Sequence, residues 1–475
     1  MPAHAHVATN RGSRFELGDA EIGYLRDRLR GEIITPRSSA YDEARRVWNG
    51  LIDRRPGLIV RCTGVADVIT AVTFARDHDL MIAVRGGGHN VAGYAVSEDG
   101  MVVDLSRMRS VAVDPGRRTV RVEGGATLGD IDHETRPFGL AVPVGVVSAT
   151  GIGGLALHGG YGWLTRKHGL ALDNIVAADV VTADGRLVKA SDKENEDLFW
   201  AVRGGGGNFG VVTSIEFRCH PVGPEVWFAA PFYPIGKTEA GLAFFRDFMR
   251  EAPDDLSGIA VLWNAPDEPS FPEQARGAPV LIFAVCHSGP VGEGERVTRP
   301  LREFDTPIAD LSGPMQYRDV QRFFDADYPD GRFYYWKSQY VQELNEDVIR
   351  LTARHGLERP SPITSIDIWP LGGAAGRVEP GATAFSSRSA SFLYNIESNW
   401  DDPGATDTNI AWTRKAFGEM KRLTKGGTYL NFPGFVEEGD DLVTGAFGAN
   451  YNRLRAIKAK YDPANLFRGN FNIRP

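Results

Sequence analysis

Cysteine is scarce in this chain: Cys62, Cys219 and Cys286 are the only three among 475 residues, and none pairs with another as C-x-x-C. That excludes a cysteine zinc site and a disulfide framework, and it suits a reducing, cytoplasmic setting. Long apolar runs are missing as well. With no stretch of ~18 apolar residues, and an opening "MPAHAHVATNRGSRFELGDAE" that lacks an apolar core and a small-residue cleavage site, neither a membrane span nor secretion is expected. Nor is there a dense Lys/Arg block to offset a formal net charge of -8, so nucleic acid is not an expected partner. Cys62, inside "LIVRCTG", reads as a small core residue.

Glycine, by contrast, is abundant, and it gathers in three clusters: "RGGGHN" from Arg85, "GIGGLALHGGYGW" from Gly151 and "RGGGGNFG" from Arg203. The first follows a β-α-β pattern. "GLIVRC" and "MIAVR" are short β-branched runs, and between them Val65, Val68, Ile69, Val72 and Ala75 form one helical stripe. Two hairpins follow, "SVAVDPGRRTVRVEGG" turning at Pro115-Gly116 and "NIVAADVVTADGRLVKAS" turning at Asp184-Gly185. From about Val226 the texture changes to long aromatic-rich segments such as "GRFYYWKSQYV", "ITSIDIWPLGG" and "ASFLYNIESNW", which read as strands of a second sheet with helices on one side.

Glycine tolerates positive φ and lets backbone N–H groups approach a ligand closely, so such loops can cradle diphosphates. Tight turns in a glycine-rich β protein would leave a similar mark. "GIGGLA" also fits the dinucleotide fingerprint, with Asp173 as a ribose-binding acid, but Gly159, Gly160 and Gly162 interrupt the helix that a Rossmann site requires.

Taken together, "RGGGHNVAGYAV", "GVVSATGIGGLALHGGYGWLTRKHGLALDNI", "DLFWAVRGGGGNFGVVT" and the closing "YDPANLFRGNFNIRP" resemble the berberine bridge enzyme family of FAD-linked oxidases, within the vanillyl-alcohol-oxidase flavoprotein fold. The resemblance runs over residues of about 40 to 220 and 425 to 475, and in style it is nearest to bacterial 6-hydroxynicotine oxidase and antibiotic-pathway flavoenzymes. It implies an α+β, two-domain PCMH-type FAD-binding fold: an FAD domain of residues 1–223, an antiparallel-sheet substrate domain of 224–425 covered by helices, and a segment 426–475 that returns to the FAD domain. It also implies FAD held covalently through His89. Arg85, Gly86, Gly87, Gly88 and Asn90 would form the diphosphate loop, with Gly93 allowing close approach. Val144, Gly145, Ser148, Gly151, Gly154, Gly159 and Gly162 would line the flavin; Asn174, Ile175 and Val212 would lie near the adenine or the ring; Tyr429, Asn470 and Asn472 would reach back from the last segment. His158 and His168 match no linkage position. Many relatives add a second, cysteinyl bond where this chain has Val147, so attachment is expected to be single, and a small Thr150 near the flavin edge leaves room for O2.

The expected reaction is hydride transfer from a carbon bearing an alcohol or amine to flavin N5, with O2 reduced to hydrogen peroxide. The substrate is expected to be a small organic molecule such as an alkaloid, polyketide or sugar derivative, and the assembly a monomer or homodimer. A dehydrogenase, an oxidative cyclase and a drug-binding resistance flavoprotein remain alternatives. Relatives take the substrate proton with the second tyrosine of a Tyr-x-Asn-Tyr motif, and "YLNF" puts Phe432 there. A substitute is therefore sought in the second domain. Asp367, a lone carboxylate between isoleucines with Trp369 on the same strand face, is the expected base, with Tyr334, Lys337 and Tyr394 as further candidates. An edge carboxylate paired with an arginine is the competing reading of Asp367. No metal is expected.

Overall fold

The computed structural model describes residues 5–475 apart from 268, 270 and 436–438. Its first sheet has the strand order Glu32–Ile34, Leu58–Arg61, Met101–Asp104, Ile82–Arg85, the last three mutually parallel. Parallel strands are covered on both faces, which is why "LIVR" and "MVVD" carry no polar alternation. The apolar stripe read from the sequence forms the helix Val65–Asp77, with Val68, Ala71, Val72 and Ala75 buried.

One pair locks this sheet. Arg85 and Asp104 stand opposite each other in register, and the guanidinium holds the carboxylate with Nε at 3.1 Å and Nη2 at 2.5 Å. Asp104 is fully buried. Burial alone would raise its pKa, but the hydrogen bonds and charge of Arg85, with Arg61 behind, hold it below the ordinary carboxylate value.

The second sheet is antiparallel, in the order Leu187–Ser191, Ile175–Val181, Val211–Arg218, Thr119–Glu123, Val111–Asp114. Both expected hairpins are in it: Asp114 faces Thr119 across the Pro115-Gly116 turn, and Val181 faces Leu187 across Asp184-Gly185, with Gly185 at φ +81°. The helix after "GIG" runs only over Ile152–Leu157, too short for a dinucleotide-binding Rossmann helix.

A third, nine-stranded sheet takes its strands from residues 225–400. Its three site-bearing strands, Leu256–Asn264, Ser365–Pro370 and Phe392–Trp400, are neighbours, and Phe333–Val341 closes the edge beside Phe392–Trp400. Alternate residues face opposite ways. Ile366, Ile368, Tyr394 and Ile396 pack on the helices Thr238–Glu251, Glu346–Leu357 and Thr406–Leu423, while Ser365, Asp367, Trp369, Leu393 and Glu397 face the first two sheets.

The segment after the helix Tyr451–Tyr461 laces back onto the glycine loops. Lys458, fully buried, donates from Nζ to Asp462 Oδ2 (2.6 Å), Asn208 O (2.7 Å) and Phe467 O (3.0 Å), and Asn208 Nδ2 donates to Phe471 O at 3.1 Å. All three cysteines are free and buried, and burial pushes the Cys62 thiol far above its ordinary value. Among the described residues no helix is long and apolar enough to cross a membrane, and no cluster of His, Cys, Asp or Glu is placed to hold a metal ion.

Candidate active site

The first two glycine clusters meet because their backbones touch, and the third comes up against the second at His158, whose Nε2 would be 2.1 Å from a Cβ on Gly206. A Cβ on Gly87 would stand 2.5 Å from Gly151 Cα and N, and one on Gly86 would stand 2.7 Å from Gly124 O. Only glycine permits that approach. Between these loops and the nine-stranded sheet lies a cavity of about 470 Å³. Gly86, Gly88, His89, Asn90, Gly145, Val147, Thr150, Gly151, Gly154, Val212, Tyr429 and Asn470 all line it, as the sequence leads one to expect, and Asp367 lines the opposite wall.

The glycine wall fits a dinucleotide. A Cβ at Gly154 or Gly207 would meet no protein atom within 4 Å, so bare backbone is open to a ligand there. Three buried polar atoms without a partner belong to residues of the same wall: His89 Nε2, His158 Nε2 and Asn470 Oδ1. Orphaned buried groups are uncommon in a folded chain and imply a missing partner. Burial drives the His89 imidazole down to about 3, so the ring is neutral, and it stacks on Trp48 with centroids 3.9 Å apart.

Several expected cofactor residues serve the scaffold instead. Arg85 does not face the cavity; besides Asp104 it donates to the carbonyls of Ala44 (2.5 Å) and Arg46 (3.2 Å). Gly87 lies behind the lining, pressed on Gly151. Gly93, at φ +75°, gives way to Ile52, which would be 2.8 Å from its Cβ. Gly162 is required by Val144 O, 1.9 Å from where its Cβ would be, and Val144 itself is core. Gly159, at φ +145°, makes room for the Tyr429 ring, whose hydroxyl accepts from Gly160 N at 2.9 Å. Asn174 bonds the carbonyls of His168 and Leu170 and the ring of His220, and Ile175 is in the core. Ser148 lies off the cavity lining, its N–H donating to Asp325 Oδ1 at 2.8 Å, and Asn472 is also outside it. His168 stacks on His220 away from the cavity, whereas His158 lines it.

Three of the four catalytic candidates are also elsewhere. Lys337 and Tyr394 have the wrong strand parity: Lys337 Nζ lies 4.7 Å over the Phe417 ring on the helix side, and Tyr394 Oη meets His355 Nδ1 at 3.1 Å there. Tyr334 has the right parity but is capped by Trp48, with its hydroxyl donating to Pro329 O at 2.6 Å.

Asp367 keeps its place, and it is not a surface carboxylate paired with an arginine. It is 3% exposed, and its Oδ1 has no hydrogen-bond partner. Diagonally across the strand pair stands Glu397, 5% exposed and hydrogen-bonded to Asp367. Glu397 also accepts from the Tyr328 hydroxyl and from Asn395 Nδ2 (2.7 Å). Burial raises both acids; Glu397 is pushed well above its ordinary value and Asp367 to about 7, partly restrained by the bonds from Ser365 and Glu397 and the charge of Arg359. Arg359 makes no direct bond to the pair, because the carbonyls of Gly356, Thr364 and Trp263 and Asn264 Oδ1 occupy its nitrogens. Burial and mutual repulsion thus raise both acids, so that the pair shares a proton near neutrality, with Asp367 Oδ1 facing the cavity.

Around the acids stand Trp263, Trp336, Trp369, Tyr328, Phe324 and Phe432, an aromatic enclosure with Asn399 beside it. Glu397 escaped the sequence reading because Asn395, Ser398 and Asn399 in "YNIESNW" hide the lone-carboxylate pattern that exposed Asp367. Tyr328 and Phe324 come from a loop with no periodic signal.

A glycine-walled cradle for a dinucleotide facing a sheet that presents a buried acid defines an FAD-linked oxidoreductase. A family profile described as "FAD binding domain" matches residues 56–191, and one described as "Berberine and berberine like" matches 428–474. The chain is 31% identical to an FAD-linked oxidoreductase of Bacillus subtilis over 94% of this chain and 98% of that one, and 31% identical to (R)-6-hydroxynicotine oxidase of Paenarthrobacter nicotinovorans over 94% and 97%. The solved 6-hydroxy-D-nicotine oxidase of Arthrobacter nicotinovorans superposes with a TM-score of 0.83 over 94% of this chain and 98% of its own. The chain belongs to the berberine bridge enzyme-like family of FAD-linked oxidoreductases.

Proposed function

We propose that this protein is an FAD-dependent oxidase that removes a hydride from a carbon bearing an alcohol or amine in a small organic molecule, with Asp367 taking the accompanying proton. The observation that carries this reading is the buried Asp367 carboxyl, its Oδ1 unpartnered, on the cavity wall opposite the glycine cradle. When bound, FAD would supply the hydride acceptor and the two-electron chemistry by which O2 is reduced to hydrogen peroxide. The backbone of Gly86, Gly88, Gly151 and Gly154 would hold its diphosphate and flavin, and Asn470 would bond it from the returning segment. His89, neutral and with an open ring nitrogen, would carry it covalently, and Val147 leaves no second thiol for another bond.

The chain's own residues divide the remaining work. The aromatic enclosure orients a flat or stacked substrate and keeps water from the reacting carbon. Asp367 accepts the O–H or N–H proton, and Glu397, oriented by Tyr328 and Asn395, holds the proton that the pair shares. Relatives named for activity on 6-hydroxynicotine, aclacinomycin and chitooligosaccharide support an alkaloid, polyketide or sugar derivative as the substrate class.

Acid precipitation of purified protein tests the cofactor half. The parent pellet should stay yellow and the His89→Ala pellet should be colourless; a colourless parent pellet refutes covalent attachment. Screening of alcohols and amines by peroxide release then tests the oxidase half.

A further inference from the structure

His89 is held from outside its own loop. Trp48, 3% exposed, lies between two rings: the His89 imidazole on one face (3.9 Å, 17°) and Tyr334 on the other (3.7 Å, 13°). Trp48 N–H donates to Gly88 O at 3.2 Å, while its Nε1 donates to Tyr328 O at 2.9 Å and Gly331 N donates to Trp48 O at 2.9 Å. The next residue repeats the bridge. Asn49, fully buried, donates from Nδ2 to Val91 O (2.8 Å) and Tyr334 O (2.9 Å) and accepts Tyr334 N–H at 3.2 Å. Gly50 then donates to Arg332 O at 2.9 Å, and a Cβ there would be 2.1 Å from Gly331 O.

Residues 48–50 thus tie the histidine loop to the edge strand of the nine-stranded sheet. The stack fixes the imidazole plane, a freedom that the glycines around His89 would otherwise leave to the ring. We propose that Trp48, backed by Tyr334 of the nine-stranded sheet, is the positioning residue for covalent attachment of the flavin at His89. This rests on the covalent reading above. In the step, an imidazole nitrogen bonds to the flavin's 8α-carbon, a C–H bond there breaks and its proton leaves. The imidazole N–H proton leaves too, and the electron pair passes to the flavin and from it, with two protons, to O2 as hydrogen peroxide. Such bond formation is sensitive to alignment, a misplacement of about 1 Å costing on the order of 10²-fold in rate.

The test compares flavin retained in the acid pellet with total flavin in purified, flavin-bound parent, Trp48→Ala, Trp48→Leu and Trp48→Phe, at fixed times after adding excess FAD in air. Trp48→Ala should retain at least about tenfold less while total bound flavin stays within about twofold, and Trp48→Phe, which restores a flat ring, should recover most of the retention. A merely structural role would lower both quantities together. If Trp48→Ala does not fold, Trp48→Leu, with bulk but no flat face, decides by the same ratio. Retention equal to the parent's in the deciding variant overturns this proposal alone; a parent that releases all its flavin overturns the covalent reading and this proposal with it.

Discussion

The two walls of the cavity bury ionisable groups to opposite effect. On the glycine wall His89 is driven down to about 3, and on the sheet wall Asp367 is driven up to about 7. Loss of water is the first cause in both cases, and it strips charge from a base and an acid alike. What differs is the company. Apart from its own backbone, no group near His89 acts on its titration, so the ring is neutral at every working pH, whereas Asp367 has Ser365, Glu397 and Arg359 around it and titrates in the physiological range. On the proposed reading, the wall that would meet the cofactor is insulated from pH, and the wall that would meet the substrate is tuned to it.

The largest expected effect breaks the sheet wall alone. Asp367→Asn should lower kcat/KM by about 10²–10⁴-fold in a peroxide assay, with acid-stable flavin unchanged. In the parent, activity should fall as pH drops through about 7, because the base is lost when Asp367 takes a proton. On the other wall, Asp104→Ala leaves the buried Arg85 without its counter-ion and should cost about 3–5 kcal/mol in denaturant unfolding; an unchanged midpoint would show that Arg85 is free to find another partner. The smallest effect sharpens the division of roles within the acid pair. If Glu397 holds the shared proton, Glu397→Gln donates the same hydrogen bond and leaves the acid limb near 7, while Glu397→Ala removes a bond that favours the Asp367 carboxylate and moves the limb to higher pH. A downward shift in Glu397→Gln would mean that Glu397 carries the charge.

Local pattern made much of this legible. The glycine clusters, the helical stripe of 65–77, both hairpins and Asp367 each depend on near neighbours in sequence, and each is where the residues point. What escaped depends on pairings between distant strands. Arg85 beside three glycines looks like a phosphate ligand until the parallel strand Met101–Asp104 supplies Asp104 opposite it. Lys337 and Tyr394 have suitable chemistry but the wrong parity, which only the register of Phe333–Val341 against Phe392–Trp400 decides. Tyr334 has the right parity and is taken by Trp48, nearly 300 positions earlier, a partner that no periodicity announces.

The return of the chain onto Asn208 has a consequence in time. Phe471, whose carbonyl closes on Asn208, lies 263 residues after it, and Gly469, Asn470 and Phe471 form part of the cavity wall. At translation rates of about 5–20 residues per second, that wall is missing for roughly 15–50 s after the glycine loops have been made. The enclosure therefore cannot be complete until the last stretch of the chain has been made, however early the glycine loops take shape.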